Sequence, residues 1–352
     1  MFHRGKQVAH RDRNAIYSKW FSDYDLVMSI EFEKRRLGTS EIHVTPVALG
    51  CWPIAGMTSL DVNDADSMKT LEAAIASGIN FFDTAYAYGA NGESERLIAQ
   101  AVQGKRNEVV IATKCGLGWD ASGDRVIDGR PATLHRHTNE SLDRLAVDEV
   151  ELLYLHAPDP DTPIQESAGA FREIMDAGKC RTVGVSNFNV EQLDAFHAIC
   201  PISAIQPPYN MLQRHIEHDI LPWAQAHGAS VMIYWPLMKG LLAGKLTRDH
   251  VFQPGDGRAK YPMFQGEQWE KNQDFVDELR VIAKDSELTV AQLVVRWTIE
   301  QPGITAALCG AKRAYQIEES AAALRFALTP EQRTRIDRAL EQRGEPDVRG
   351  AV

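Results

Sequence analysis

The sequence predicts an α/β fold: a closed (β/α)8 barrel, or TIM barrel, with an N-terminal β-hairpin plug. Short apolar runs alternate with amphipathic helical segments from residue 45 onward, and eight such runs occur before residue 311. The runs are too apolar and β-branched for half-exposed strands, which indicates a parallel sheet covered on both faces. An open doubly wound sheet is the alternative, but no GxGxxG turn follows the first run.

The eight apolar runs are the predicted strands. In chain order they are VALG near 47–50, NFFDT near 80–84, EVVIATK at 108–114, VELLYLH at 150–156, RTVGVSN at 181–187, SAIQ at 203–206, SVMIYW at 230–235 and ITAALCG at 304–310. Before them, FEKRRLGTSEIHVTPVALG predicts a short hairpin that turns at Gly38–Thr39. This hairpin would plug the N-terminal end of the barrel.

Helical segments lie between the runs. Capping-box pairs predict three helix starts: Thr162 with Gln165, Thr289 with Gln292, and Thr329 with Gln332. Pro163 and Pro330 then stand at first helical positions, where proline is favoured. The stretch 244–273 is rich in Pro, Gly and aromatic residues, and it predicts a functional or mobile loop after the seventh strand, on the catalytic face.

Residues 1–27 differ from the rest of the chain. They carry basic residues but lack the apolar core of a secretory signal, and their aspartates argue against organelle targeting. We predict a disordered tail over residues 1–27, or an extension upstream of the natural start, followed by one barrel domain over residues 28–352.

Composition excludes several classes of function. The net charge of −10 argues against a nucleic-acid surface, and no apolar run approaches the length of a membrane span. The eleven histidines show no metal-ligand spacing, so we predict no metal. The five cysteines are dispersed and form no CxxC pair, which predicts reduced thiols and a cytoplasmic protein.

Polar or titratable groups close the predicted strands. Asp83 and Tyr88 follow the second strand, Lys114 ends the third and His156 ends the fourth. Each alone has a structural explanation, such as a turn cap for Asp83 or a snorkelling side chain for Lys114. Because the C-terminal ends of barrel strands meet at one mouth, four such groups on consecutive strand ends predict an active site.

These groups have compatible chemistry. A buried lysine beside a carboxylate stays charged, and we expect Lys114 to lower the pKa of the Tyr88 phenol so that it acts as a general acid. His156 would hydrogen-bond the same substrate oxygen. The pattern predicts proton delivery to a carbonyl oxygen that is becoming an alkoxide. A Schiff-base aldolase with Lys114 as the nucleophile is a second possibility.

Over residues 33–345 the sequence resembles the aldo-keto reductase superfamily. FFDTAYAYG, IATK, LLYLHAPDP and GVSNF stand in the family's order on the predicted strands. The resemblance implies an NADPH-dependent enzyme that reduces an aldehyde or ketone to an alcohol. It also implies a catalytic tetrad of Asp83, Tyr88, Lys114 and His156. Tyr88 is the expected proton donor because it directly precedes a glycine, as the family tyrosine does. A regulatory subunit resembling potassium-channel beta subunits is the alternative.

The resemblance implies a nicotinamide cofactor extended across the mouth. YWPLMKGLLAGK at 234–245 would contact its pyrophosphate through the backbone, and CGAKRAYQIEES would surround its adenosine end. Two adjacent cations at a helix N-terminus form an anion site for a 2′-phosphate, which favours NADPH over NADH. The implied cofactor residues are Ser186, Asn187, Gln206, Tyr234, Leu237, Gly240, Leu241, Gly310, Lys312, Arg313, Gln316 and Glu319.

Aromatic residues near the strand ends predict the substrate pocket. Trp52, Trp119 and Trp235 are the expected walls, and Tyr86 is either a fourth wall or a packing residue. Such walls suit aldehydes and small ketones with an apolar side. The sequence does not indicate an oligomeric state.

Overall fold

Eight parallel strands close into a barrel in residues 32–56 and 60–346, the part of the chain that this computed structural model describes. In chain order the strands are β1 (Arg35–Arg36), β2 (His43–Val44), β3 (Val47–Gly50), β4 (Phe81–Asp83), β5 (Val110–Cys115), β6 (Leu117–Trp119), β7 (Arg125–Ile127), β8 (Val150–Leu155), β9 (Cys180–Ser186), β10 (Ala204–Gln206), β11 (Ser230–Tyr234) and β12 (Ile304–Gly310). The barrel order is β3-β4-β5-β8-β9-β10-β11-β12, and β12 pairs with β3. The predicted (β/α)8 barrel is confirmed; the predicted tail, residues 1–27, lies outside the described residues.

Helices follow most barrel strands. They are α1 (Asp64–Ala76), α2 (Glu93–Ala101), α3 (Pro131–Leu145), α4 (Ile164–Asp176), α5 (Val190–His197), α6 (Ile220–His227), α7 (Gly266–Asp285), α8 (Val290–Ile299), α9 (Ala314–Ala321) and α10 (Pro330–Arg343). Successive strand residues alternate between two cores. Phe82 packs in the core shared with the helices, whereas Phe81 packs inside the barrel. This alternation follows from the two-residue period of a strand.

Two of the three predicted capping boxes form. Thr289 caps α8 and Thr329 caps α10, each with its glutamine bonded back to the cap residue. The prediction at Thr162 is wrong. Pro163 has a ψ of 131°, so α4 begins only at Ile164, and the Thr162 hydroxyl donates to the Asp159 carboxylate.

The hairpin β1–β2 closes the N-terminal end of the barrel, as predicted. Leu37 and Val44 are fully buried in the core inside the barrel. The Gly38 N–H donates to Ser230 Oγ, and Asn80 bridges the plug to β4 by donating to the His43 carbonyl. The plug therefore has both apolar packing and satisfied polar groups.

Two features differ from the sequence prediction. The strands β6 and β7 form an antiparallel hairpin directly after β5, where no hairpin was predicted. The stretch 244–273 is not one long loop, because two short 3-10 helices occupy residues 257–260 and 262–264 and α7 begins at Gly266.

All five cysteines are free and buried. Burial raises the pKa of each thiol, to about 12 for Cys180, Cys200 and Cys309. None of the described helices combines the length and apolar character that crossing a bilayer requires.

Candidate active site

An ion pair between β4 and β5 forms the base of the site. The Lys114 Nζ lies 2.5 Å from Asp83 Oδ1, and neither side chain is more than 2% exposed. Burial alone would lower the pKa of Lys114, but Asp83 and Tyr88 outweigh it and the pKa is raised. Burial raises the pKa of Asp83, while Lys114 and Gln206 oppose this effect. Lys114 is therefore held as a cation, as predicted.

Tyr88 lies on the loop after β4, within reach of Lys114. The Lys114 Nζ is 3.3 Å from the Tyr88 hydroxyl. Burial raises the pKa of Tyr88, and this effect exceeds the opposing effect of Lys114. The predicted net lowering is wrong, because desolvation of the phenolate outweighs the neighbouring charge. Gly89 follows with a φ of 100°, and a Cβ there would fall 2.0 Å from Glu93 Oε2.

His156 follows β8 and faces Tyr88. Its ring centroid is 5.9 Å from that of Tyr88. Burial, followed by the charges of Lys114 and Arg125, holds the pKa of His156 well below its usual value. Its Nδ1 is buried and has no hydrogen-bond partner among residues 32–56 and 60–346. The imidazole is thus neutral at physiological pH.

A hydrogen-bonded chain continues around the mouth to β11. Gln206 Nε2 donates to Asp83 Oδ2 at 2.7 Å, and Ser186 Oγ donates to the Gln206 carbonyl at 2.7 Å. Tyr234 donates its hydroxyl to Asn187 Oδ1 at 2.9 Å. Asn187 has a left-handed backbone with a φ of 64°. Of these four predicted cofactor residues, Gln206 contacts Asp83 directly, and the other three are linked to it through hydrogen bonds that include Asn187 Nδ2 to Ser186 Oγ at 3.1 Å.

The backbone after β11 turns sharply. Trp235, Met238, Lys239 and Gly240 all have positive φ values. The Gly240 N–H donates to the Leu237 carbonyl, so it is engaged within the segment. Leu241 is fully buried, so neither its side chain nor its backbone is exposed in this structure.

Lys312 and Arg313 precede α9 and reach across to the loop after β3. Lys312 Nζ donates to the Leu60 carbonyl at 2.8 Å, and Arg313 Nη2 donates to the Asp61 carbonyl at 2.7 Å. The carboxylate of Asp66 lies 3.6 Å from Arg313 Nε. Both cations thus lie on one face of the mouth, near the exposed end of β12.

The other predicted cofactor residues near Lys312 and Arg313 are Gln316, Glu319 and Gly310, and two of them bond to other groups of the protein in this structure. Gln316 Oε1 accepts hydrogen bonds from the backbone N–H groups of Lys312 and Arg313. Glu319 forms an ion pair with Lys245 at 2.6 Å. Gly310 is the exposed last residue of β12.

The predicted pocket aromatics divide into two groups. Trp52 meets the Tyr88 ring edge-on at 5.0 Å, and Trp119 donates its indole N–H to the Ala87 carbonyl. Trp235 lies 5.2 Å from the Tyr234 ring. Tyr86 instead stacks on His137 of α3 at 3.7 Å. Of its two predicted roles, packing is the one that these contacts favour.

Comparison with known proteins agrees with this arrangement. Residues 46–341 match the family model described as Aldo/keto reductase family. The chain belongs to the aldo/keto reductase family. It is therefore an oxidoreductase that uses a nicotinamide cofactor and acts on a small carbonyl substrate.

Relatives of this aldo/keto reductase align over most of their length. Aldo-keto reductase YhdN of Bacillus subtilis is 36% identical over 88% of this chain and 94% of that protein. The NADH-specific methylglyoxal reductase of Escherichia coli is 31% identical over 84% of this chain and 95% of that protein. A probable voltage-gated potassium channel subunit beta of Arabidopsis thaliana is 31% identical over 88% and 97%.

A solved structure is also similar. The glycerol dehydrogenase of Gluconobacter oxydans has a TM-score of 0.83 and 36% sequence identity, covering 91% of this chain and 98% of that one. The fold and the identity together support the family assignment independently of the site geometry.

Proposed function

We propose that this enzyme reduces an aldehyde or ketone to an alcohol with NADPH, and that Tyr88 is the proton donor. The observation that carries the proposal is that Lys114 contacts both Asp83, at 2.5 Å, and the Tyr88 hydroxyl, at 3.3 Å. These groups form a chain from a buried carboxylate to a phenol at the catalytic end of the barrel. Such a chain suits proton delivery to an oxygen that gains negative charge.

Each group has a distinct task in this proposal. Tyr88 stays protonated until it reacts, because burial raises its pKa. Lys114 stabilises the phenolate that remains, and Asp83 holds Lys114 in place and charged. Gln206 fixes the other oxygen of Asp83. His156, being neutral, can hydrogen-bond the substrate oxygen without adding a second cation.

The residues at the mouth fit a dinucleotide. When bound, the cofactor supplies the hydride, while the protein supplies orientation and the proton. Asn187 and Tyr234 would hold the nicotinamide end, and the backbone of Leu237 and Gly240 would contact the pyrophosphate. Lys312 donates to the neutral Leu60 carbonyl, so its positive charge is left for an anionic ligand. Arg313 donates to the Asp61 carbonyl, and its charge is partly compensated by the Asp66 carboxylate at 3.6 Å.

The same two cations are our reason for favouring NADPH over NADH. They precede the N-terminus of α9, where the helix dipole adds to their attraction for a phosphate. Family membership alone does not decide the matter, since one relative is named as NADH-specific.

Fluorescence titration with each dinucleotide tests this preference. We expect NADPH to bind at least about tenfold more tightly than NADH, which is a free-energy difference of about 1.4 kcal/mol. Arg313→Ala should weaken NADPH binding and leave NADH binding unchanged. Arg338→Ala, at an exposed position on α10, is the control. Equal affinities for both dinucleotides would contradict the assignment.

The substrate class follows from the pocket and from the relatives. Trp52 and Trp119 border the Tyr88 loop and give the pocket apolar walls. The similar proteins are named for methylglyoxal and glycerol. We therefore propose small aldehydes and ketones, and a panel from methylglyoxal to benzaldehyde would rank them by kcat/KM.

Tyr88→Phe is the decisive test of the proton donor, and Tyr86→Phe is its matched control two residues away. Tyr88→Phe should lower turnover by about 100-fold or more, because it removes the general acid. Cofactor affinity should change little. Tyr86→Phe should retain most activity, since its hydroxyl donates to Glu140 on α3. Retained activity in Tyr88→Phe would refute the assignment.

A regulatory subunit is the second candidate, favoured by the similarity to the channel subunit. It predicts tight cofactor binding without turnover on any carbonyl of the panel. The aldolase alternative is disfavoured, because the raised pKa of Lys114 leaves little neutral amine to act as a nucleophile. Borohydride trapping of substrate on Lys114 would revive it.

We also propose that the protein works in a reducing compartment such as the cytoplasm. The support is that all five cysteines are free and buried. Such thiols are typical of proteins that are not exposed to oxidising surroundings.

A further inference from the structure

Arg144 projects from α3 onto the loop that carries Tyr88. Its Nη1 donates to the Tyr86 carbonyl at 3.3 Å, and its guanidinium carbon lies 4.4 Å from the centre of the Tyr86 ring. The side chain also passes along Gly92, which has a φ of 73°. A Cβ at Gly92 would fall 2.4 Å from Arg144 Cδ. The lack of a side chain at Gly92 therefore leaves space for the side chain of Arg144.

Arg144 also forms an ion pair with a buried carboxylate. Glu95 is fully buried, and its Oε2 lies 3.3 Å from Arg144 Nη1. The Thr113 hydroxyl donates to the other oxygen of Glu95 at 2.7 Å. Thr113 directly precedes Lys114 on β5. A continuous path of side chains thus joins the strand of the catalytic lysine to the loop of the tyrosine.

This path gives a reason for the burial of two charged groups, Glu95 and Arg144, against each other. Burying Glu95 against Arg144 requires both charges to lose water, and such pairs often contribute little net stability. What the pair does provide is a fixed direction for the Arg144 guanidinium. That guanidinium meets the backbone only two residues before Tyr88.

We propose that Arg144, oriented by Glu95, is a positioning residue that holds the Tyr88 hydroxyl at Lys114. The proposal rests on the assignment of Tyr88 as proton donor. Arg144 contacts neither the phenol nor Lys114, so it acts through the loop backbone. A displacement of about 1 Å at a reacting group can cost about 100-fold in rate, so a loop clamp of this kind has a measurable effect.

A double-mutant cycle tests the proposal. Arg144→Ala should lower kcat about 10- to 100-fold, with NADPH affinity changed less than about twofold. In a Tyr88→Phe background, Arg144→Ala should lower the residual turnover less than about twofold, because its partner in catalysis is already gone. Product formation at high enzyme concentration over hours gives the residual rates.

Two further variants keep the test decisive if Arg144→Ala folds poorly. Arg144→Lys retains the charge for Glu95 but lacks the planar group that reaches the Tyr86 carbonyl, so kcat should still fall. Arg136→Ala is the matched control. It lies on the same helix and comes within 3.5 Å of the Tyr86 hydroxyl, but it makes no hydrogen bond to the described backbone of the loop, and its kcat should be unchanged.

The outcomes separate this inference from the proposed function. If Arg144→Ala slows the Tyr88→Phe enzyme as much as the unmodified enzyme, Arg144 does not act through Tyr88 and the inference fails. It also fails if both Arg144 variants lower the melting temperature without changing kcat. If Tyr88→Phe alone stays active, the proposed function fails instead.

Discussion

The two ends of the barrel bury polar groups in opposite ways. At the catalytic end, Asp83 and Lys114 are charged groups that are almost fully buried. At the other end, the plug packs into the barrel through apolar side chains, and Leu37 and Val44 are fully buried. The side chain that joins the plug to β4 is neutral: Asn80 accepts from the Thr45 N–H and donates to the His43 carbonyl.

This difference shows how one barrel separates chemistry from stability. Charged groups without water shift one another's pKa, as chemistry requires, but they stabilise the fold little. Apolar packing, in contrast, is a main source of the stability of the fold. Substitutions at the mouth should therefore change rates, and substitutions at the plug should change stability.

The largest expected effect is that of Lys114→Met. It removes the cation that would stabilise the phenolate of Tyr88, so kcat should fall by about 10²- to 10⁴-fold. Asp83 would lose its ion-pair partner and become protonated. Steady-state kinetics with a fixed carbonyl substrate measures the loss. A kcat within tenfold of that of the unmodified enzyme would contradict the role of Lys114 in catalysis.

Leu37→Ala should have the opposite signature. Loss of a fully buried leucine from the plug should cost about 2–5 kcal/mol of unfolding free energy, because a cavity remains. The kcat at 25 °C should stay within about twofold, since the site lies at the other end. Urea unfolding and steady-state kinetics on the same preparation test both halves. A parallel fall in kcat would show that the two ends are coupled.

Asn80→Ala probes the polar part of the plug. It leaves the buried Thr45 N–H without its partner at 2.7 Å and the His43 carbonyl without its partner at 2.9 Å. The expected cost is about 1–3 kcal/mol, the penalty for an unsatisfied buried group. Asn80→Asp keeps the acceptor for the Thr45 N–H but places a carboxylate oxygen against the His43 carbonyl, so it should not recover this loss. A neutral result for Asn80→Ala would assign the plug's stability to packing alone.

The smallest effect is a pH dependence of stability from the catalytic end. Burial, and then the charge of Arg136, lower the pKa of His137 from 6.5 to about 4. Between these values the unfolded chain binds more protons than the folded one, so stability falls as pH drops from 6.5 towards 4. His137→Phe should reduce this fall in urea midpoints taken at pH 7 and pH 4.5. If the stability of His137→Phe falls by the same amount, other titratable groups cause the pH dependence.

The sequence predicts the barrel well because its strands are buried on both faces. Runs such as residues 150–156 are apolar almost throughout, and their ends fall within a residue or two of the observed strands. The short strands of the β6–β7 hairpin carry no such signal, since each has only three residues. The start of α7 was missed because GEQWEKNQ is polar and begins with glycine, which is typical of a loop.

The catalytic residues could be predicted because the sequence shows where each apolar strand ends. The direction of the Tyr88 pKa was not readable, because desolvation depends on neighbours from other strands. The sequence carries no signal for the contact between Arg144 and Glu95. They are 49 residues apart, and isolated charged residues on helices normally indicate a solvated face.

The burial of all five cysteines has a practical consequence for studying this enzyme. Thiol reagents attack the exposed thiolate, and here each thiol is both covered and held protonated. A cysteine introduced at Ser122, in the exposed turn between β6 and β7, would thus be the preferred labelling position. A fluorophore could be attached there without first removing any native cysteine.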